Sequence, residues 1–552
     1  MEEMVDWRGN QVNPKRHGGV RATLFLYLLV VVRSSVNAAN TNLVGFFRST
    51  HNMTIARSVI LSTNFGGATW ILSIVGSFVA DSYVGRFKAI FFFGPFEVLG
   101  YGLLAFQAHH SSLHPPQCNI KQNNANCESL QGWKTLLLYL GLFMVAIGEG
   151  FMRPSTPAFG SDQFDTNDPP QMKQNIRFFD FAAFATCFGA TFGLVLLVWA
   201  QSFKGWNLGL GVCALFVLSG LLLGAFGSPF YRYRLPCGSP LTRILQVIVV
   251  AFKKRKIHVV PEKDVEDPEL SDLSTDTNDG ETLSHTKDLR FLDKASIYTG
   301  DTSAWSYCSI SQVEETKSFL KMLPILFSSV LCYFPFALFF TLTAPVAATM
   351  NTHLRGVRIA PASLYAVSVI IQWIILVLYN RVITPLVARC TSSKYSNVTS
   401  HLVRAGVGFV FAMLATIVAA LVERKRRMAT DPKTLSFLWM LPQFILIGLM
   451  EVTSFVGLME FFSNQLPERI RSLGSSMVFC IVGLSVWLDG AIVAVVSRVT
   501  KIGGDGIGWL DGRTFDTTRL DLFYGMLSVL EFVALLNFSF WARKYLQGQR
   551  SQ

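Results

Sequence analysis

Glu149 and Arg153 stand four residues apart in an apolar run, a spacing that places both on one helix face and lets them pair. A charge in such a run costs a few kcal/mol and demands a partner. Two readings stay open: a structural pair that neutralises Arg153, or a site whose charges meet a substrate. Glu451, followed by Val452-Thr453-Ser454, is an acid in another apolar run, and the sequence offers it no charged neighbour. Glu97, Asp489 and Glu531 are embedded in the same way, and helix–helix polar contact is the reading favoured for them. The tools of catalysis are missing. All nine His (His17, His51, His109, His110, His114, His258, His285, His353, His401) lie between apolar runs or at their ends, so no embedded His pair or metal set exists. The nine Cys have no metal spacing either, and Cys187, Cys213, Cys332 and Cys480 sit where packing is the expected role. No catalytic residue, metal or cofactor is expected, and an enzyme is disfavoured.

The elements that hold these residues are membrane spans. A helix needs about 20 apolar residues to cross the hydrocarbon core. Only helices serve here, because lipid offers bare backbone groups no partner. With 51% hydrophobic and 15% charged residues in 552, the chain is too apolar for an ordinary soluble protein. Six spans are read in the first half: Thr23–Phe46, Ala56–Ala80, Ala89–Ala108, Trp133–Arg153, Phe178–Ala200 and Leu208–Phe226. Six follow in the second: Ser318–Val346, Pro361–Ile383, Leu402–Val422, Leu435–Phe462, Leu473–Val496 and Leu522–Trp541. The division is an N-terminal tail (1–22), a first bundle (23–230), a polar linker (231–317), a second bundle (318–541) and a C-terminal tail (542–552). Pro154, Pro157, Pro335 and Pro442 are expected to interrupt or end helices, either lining a substrate path or as kinks tolerated for packing.

An even span count puts both termini on one side. The net charge of +12 is topological rather than a sign of nucleic-acid binding, since Lys and Arg sit mainly in short loops. Asp81–Lys88, Lys173–Arg177, the linker, Arg389–Lys394, Arg469–Arg471 and Arg543–Arg550 would then be cytoplasmic. Glu423–Arg427, with Lys425, Arg426 and Arg427, dissents by falling outside. Asn52-Met53-Thr54 falls outside and is a candidate glycosylation sequon, whereas Asn397-Val398-Thr399 falls inside and should be silent. Cys118 and Cys127 share one polar loop and are a candidate disulfide if that loop is extracytoplasmic. In the linker, Leu241–Lys256 suits an amphipathic helix on the cytoplasmic leaflet, Pro261–Glu281 has a disordered composition, and Leu289–Gln312 regains signals of order.

Five motifs occur in order. They are Asp81-Ser82-Tyr83-Val84-Gly85-Arg86 between spans two and three, and Phe159-Gly160-Ser161-Asp162-Gln163-Phe164-Asp165 after span four. Arg177-Phe178-Phe179-Asp180-Phe181 opens span five. Leu289-Arg290-Phe291-Leu292-Asp293-Lys294-Ala295 lies in the linker, and Gln312-Val313-Glu314-Glu315-Thr316-Lys317 precedes span seven. The first, with Asp81, Gly85 and Arg86, looks like the loop signature of the major facilitator superfamily. The set resembles the plant nitrate/peptide transporter family, a branch of the proton-coupled oligopeptide transporters, over essentially the whole chain. The resemblance implies an all-α membrane protein of twelve helices in two six-helix bundles that rock about a central site.

The chain also departs from that pattern. Proton-coupled relatives carry Glu-x-x-Glu-Arg on the first span, and here the aligned string is Leu29-Val30-Val31-Val32-Arg33. Leu29 and Val32 cannot titrate. The family's span-four Lys aligns with Arg153, which keeps the charge and offers a planar fork for a carboxylate. Glu149 is placed to reach Arg33 as well and to stand in for the missing acids. The nitrate-associated His of one branch aligns with Phe336, in Tyr333-Phe334-Pro335-Phe336, and Phe334, Phe339 and Phe340 are read as its apolar surround. Glu451 matches the family's span-ten acid. The resemblance thus implies a secondary active or facilitative transporter of a small organic anion, a plant hormone or related carboxylate, by alternating access. Arg33, Arg153 and Phe336 are assigned to the substrate, and Glu451 or Glu149 to any proton coupling. A nitrate or peptide transporter, or a transport-deficient substrate sensor, are the alternatives. The expected partners are the small-molecule substrate, protons and the lipid bilayer, with the plasma membrane placed ahead of vacuolar or other endomembranes.

Overall fold

The computed structural model describes residues 4–13, 16–116, 130–165, 168–234, 240–255, 288–297, 305–354, 356–378, 397–429, 432–467, 470, 472–502, 508–510, 515 and 518–550. Cys118, Cys127, the acidic linker stretch 261–281 and the loop 379–396 lie outside the described residues.

Among the described residues, twelve helices are long and apolar enough to cross a membrane, and the chain is an integral, multi-pass membrane protein. Spans one to six cover Gly19–His51, Ile55–Val84, Arg86–His109, Trp133–Ser161, Pro169–Lys204 and Trp206–Phe230. Spans seven to twelve cover Ile310–Ala347, Pro361–Leu378, His401–Met428, Phe437–Gln465, Leu473–Lys501 and Leu520–Gly548. The starts have local causes. The Thr54 side chain accepts from the Arg57 N–H at the head of span two, and Ser309 and Gln312 form a capping box at the head of span seven. Gly85, at φ +88°, turns the chain into span three in a conformation that a side chain would strain.

Three expectations need correction. Span four runs on through Pro154 and Pro157 to Ser161, so neither proline ends it. Pro335 does mark a break, at Phe334 within span seven, while Pro442 sits in the first turn of the helix Leu441–Met450. The helix that carries span five starts at Pro169, ahead of Arg177-Phe178, so Lys173–Arg177 is helix rather than loop.

Spans one to six pack together around the Leu26–Leu104–Val145–Val217 core. Spans seven and nine to twelve surround a second core containing Tyr333, Phe409, Phe461 and Phe538. The halves meet along spans two and eleven and along spans five and eight. At the end where span one finishes, the His51 end, Val44, Ile55, Ala56 and Val59 of the first half share a buried cluster with Phe339, Leu342 and Val346 of the second. Near the opposite, Gly19 end, the cluster holding Leu402, Phe461, Leu466 and Leu473 buries only second-half residues and the linker's Ile244. The halves therefore close on each other mainly at the His51 end.

The linker helix Pro240–Lys253 is amphipathic in an unexpected sense. Val247, Val250 and Ala251 are buried against Leu292, Ala295, Cys308 and Val313, beside the base of span seven, while Leu245, Ile248 and Phe252 stay exposed on another face. Lys317 of span seven ties that helix to the linker through Asp293 at 2.6 Å and pairs with Glu314 of its own helix at 2.8 Å.

The basic cluster that opposed the topology rule is partly neutralised in three dimensions. Arg426 is buried and donates to Glu423, to Thr349 Oγ1 and to the Phe515 carbonyl; Arg427 pairs with Asp521; Lys425 lies over the Trp439 ring at 3.3 Å. These residues form the last turn of span nine, where cations also complement the helix dipole.

Candidate substrate-binding site

Glu149 sits at the centre of a charge cluster in the first half. Its Oε1 accepts from Arg33 Nη1 at 2.7 Å, from Arg153 Nε at 3.0 Å and from Arg153 Nη2 at 2.9 Å. Arg153 Nη2 also donates to Asn37 Oδ1 at 3.2 Å. Glu149 Oε2, Arg153 Nη1 and Arg33 Nε have no hydrogen-bond partner among the described residues. Glu97 is buried within electrostatic range of Glu149 and both guanidiniums, and its Oε2 is also without a partner there.

Small residues position the cluster. A Cβ on Gly148 would lie 2.5 Å from the Glu97 Cβ, and one on Gly150 would lie 2.6 Å from the Leu72 Cβ. These glycines let span four press against spans three and two with Glu149 between them. On the other flank, a Cβ on Gly189 or Gly193 would collide with the carbonyls of Val31 or Ser35, so span five lies directly against the face of span one beside Arg33.

Trp70 carries the cluster to the seam. The Arg153 guanidinium lies 3.7 Å from its ring centroid, and the ring is 5.7 Å from that of Phe479 on span eleven. Trp70 and Asn37 were not among the residues singled out from the sequence. Asn37 had a signal, since it follows Arg33 by four and shares its helix face. Trp70 had none, because its contacts come from other spans.

Glu451 occupies a different setting. It opens a single π-helical turn, Glu451–Phe455, inside span ten. The Thr453 and Ser454 hydroxyls bond back to the carbonyls of Leu449 and Met450 at 2.7 and 2.6 Å, a local competition that loosens an α-helical ladder. Such turns recur at functional sites. Tyr365 Oη on span eight lies 3.1 Å from both Glu451 oxygens, and Cys187 on span five is within electrostatic range of both residues, so Glu451 faces the seam. No basic side chain among the described residues pairs with it.

Phe336 joins these groups to an aromatic wall. Its ring is 5.5 Å from Tyr333 and 4.6 Å from Phe340, and Phe340 meets Tyr365 at 4.1 Å. The expected surround was partly wrong. Phe339 points away to stack on Tyr524, because the adjacent helical positions Phe339 and Phe340 point to different faces, and Phe334, at the break before the helix, is buried in that same cluster.

The loop signature is a structural lock rather than part of this site. Arg86 bonds Asp81 at 2.8 Å and Asp162 at 2.6 Å, so two motifs far apart in sequence meet. Burial pushes the Asp162 carboxyl up, while Arg86 and Arg234 pull it down. Asn52 adopts φ +52° and its Nδ2 donates to the Pro116 carbonyl at 3.0 Å. No group of three or more His, Cys, Asp or Glu that could hold a metal occurs among the described residues.

Residues 87–510 match the family described as the POT family. The chain belongs to the POT family. Over 98% of the POT-family chain and 90% of the relative, it is 36% identical to protein NRT1/PTR FAMILY 4.4 of Arabidopsis thaliana. Among solved structures, the POT family transporter PepTSo superposes with a TM-score of 0.70 at 16% identity, covering 96% of this chain and 98% of that one. A POT family transporter in complex with 5-aminolevulinic acid gives 0.64 at 12% identity, covering 97% and 100%. The fold is thus the major facilitator fold of a transporter. The plant relatives place the chain in the nitrate/peptide branch that its five motifs resemble.

Proposed function

We propose that this POT-family transporter carries a small, partly apolar organic anion, a carboxylate of the plant-hormone type or a related metabolite, by alternating access. The observation that carries the reading is the sharing of one Glu149 oxygen by two guanidiniums that retain N–H groups unpartnered among the described residues, beside the seam. A substrate carboxylate would take up those donors, and the planar fork of Arg153 suits it. Phe336 and Phe340 would meet the apolar body, at a position without the hydrogen-bond donor that nitrate needs. Glu451 is the proposed proton carrier, because it can change charge without breaking an ion pair, whereas Glu149 cannot. Glu149 is the secondary candidate, released only if substrate takes its place on the arginines. We place the Gly19 end, both termini and the linker in the cytoplasm and the protein in the plasma membrane. Closure at the His51 end then corresponds to an inward-facing arrangement.

The test is uptake into oocytes, screening nitrate, a dipeptide and aromatic monocarboxylates at acidic and neutral pH. The carboxylates should be preferred. Arg153→Ala should abolish their uptake at unchanged surface expression, and Arg153→Lys should restore part of it. Saturable, high-affinity nitrate uptake that survives Phe336→Ala, or full activity in Arg153→Ala, overturns the reading.

A further inference from the structure

Glu97 is a buried acid on span three that no motif marks and that the substrate reading leaves unused. Span three packs chiefly on spans four and six. Span four covers Glu97 directly: a Cβ on Gly148 would lie 2.5 Å from the Glu97 Cβ and 2.6 Å from its backbone nitrogen. Glu97 therefore stands behind Glu149 rather than on the seam. The ionisable groups within electrostatic range of it are Glu149 and Arg153 of span four, Arg33 of span one, Tyr101 on its own helix and Cys213 of span six. Neither arginine pairs with it among the described residues, and its Oε2 has no hydrogen-bond partner there. Tyr101, one turn on, donates its hydroxyl hydrogen bond to Asn40 Oδ1 at 2.8 Å instead. The Cys213 sulfur accepts from Gln201 Nε2 at 3.8 Å.

The two guanidiniums, Glu149 and an ionised Glu97 cancel in charge. A proton on Glu97 leaves the four groups one charge positive, in surroundings where solvent screens little. A monoanion held by Arg33 and Arg153 without that proton leaves them one charge negative, and an uncompensated buried charge is costly. Proton and monoanion together return the cluster to neutrality. The empty and the doubly loaded cluster thus carry the same charge, while each singly loaded form is out of balance.

We infer that Glu97 sets the charge of the anion site, and that one proton taken up at its carboxylate accompanies each monoanion bound by Arg33 and Arg153. The inference rests on the central-site reading and adds to it the residue and the stoichiometry of the coupled binding step. Glu451 keeps its proposed part in the steps that follow. An O–H bond forms on Glu97 with a proton from solvent, and no bond to the substrate is made or broken. Each ligand strengthens the hold on the other by the same factor, as linkage requires. Affinity for the anion therefore rises as pH falls, by up to about tenfold per pH unit, and levels off once Glu97 is protonated in the empty protein. The whole gain should be about 5–150-fold.

The experiment is equilibrium binding of radiolabelled 1-naphthoate to the purified full-length protein in nanodiscs, between about pH 5 and 8, where the ligand carboxylate stays ionised. Proton uptake on binding is followed in weak buffer with an indicator dye. In wild type the Kd should fall with pH, and up to one proton should be taken up per naphthoate bound. Glu97→Gln fixes the neutral form at the same shape. It should bind within about threefold of the wild-type acid limit at every pH and take up no proton. Glu97→Asp should keep both the slope and the proton uptake, with the midpoint of the slope displaced. A residue with a structural role alone would lower affinity equally at every pH. A wild-type Kd that is flat with pH, a slope that survives Glu97→Gln, or an unmoved midpoint in Glu97→Asp overturns this inference. The central reading then stands, provided that Arg153→Ala abolishes binding. No saturable binding in wild type, or binding untouched by Arg153→Ala, overturns the central reading and this inference with it.

Discussion

Two sets of buried ionisable groups, one in each half, are held in opposite ways. In the first, Arg33, Arg153, Glu149 and Glu97 form one cluster in which two cations share a single carboxylate oxygen. In the second, Glu451, Asp489 and Glu531 pair with no basic side chain among the described residues. All four oxygens of Asp489 and Glu531, which are fully buried, lack a hydrogen-bond partner among those residues. Guanidiniums do not give up their protons, so the first half keeps fixed charge that only a counter-ion can compensate. Glu451, Asp489 and Glu531 can change charge without leaving a basic partner exposed, unlike Glu423, which the same half pairs with Arg426. Under the proposed function, the first set grips an anion and Glu451 of the second carries a proton.

Glu149→Gln tests the fixed-charge half and should have the largest effect. It leaves two buried cations without their shared carboxylate, a loss of about 3–5 kcal/mol. The unfolding midpoint in nanodiscs should fall accordingly, and added anionic substrate should raise it again. Asp489→Asn and Glu531→Gln break no ion pair, so each should change stability by less than about 1 kcal/mol. Equal losses in all three variants would erase the contrast between the halves.

Arg153→Ala should lower uptake about 100-fold, the scale expected when one partner of a buried, hydrogen-bonded charge contact is removed. The Arg153→Ala/Glu149→Ala double variant should recover stability relative to Glu149→Gln without recovering uptake. Recovery of uptake in the double variant would reduce Arg153 to a structural partner of Glu149.

Glu451→Gln should leave substrate binding within about threefold of wild type but flatten the rise of uptake toward acidic external pH. If wild type shows that rise and both Glu451→Gln and Glu149→Gln keep it, proton carriage lies elsewhere. If wild type is indifferent to pH and membrane potential, the protein is a facilitator. The smallest effect is expected from Phe336→Ala. Loss of one aromatic contact of about 0.5–1.5 kcal/mol should raise the KM for an aromatic carboxylate by about 2–10-fold at unchanged maximal rate. A change in rate alone would place Phe336 in the conformational step rather than against the substrate.

Much of this was legible in the linear chain, and the reasons are local. Twelve apolar runs, their approximate ends, the family resemblance and the Glu149–Arg153 pair follow from hydropathy, motif order and an i,i+4 spacing, quantities that depend on neighbours in sequence. What the tertiary structure alone decided are contacts between distant spans. The Arg33–Glu149 bond joins residues 116 positions apart, and whether Glu149 turned toward Arg33 depended on the glycines that seat span four against spans two and three. The placement of Trp70 between Arg153 and Phe479 has no sequence signal, and neither does Tyr365 beside Glu451. Lys425-Arg426-Arg427 read as misplaced charge because counting basic residues cannot see Asp521 or the Phe515 carbonyl folding back onto them. Helical periodicity says which face a residue occupies. Only packing says what that face meets, because a membrane helix is apolar nearly all round and its sequence seldom marks which side will find a neighbour and which will find lipid.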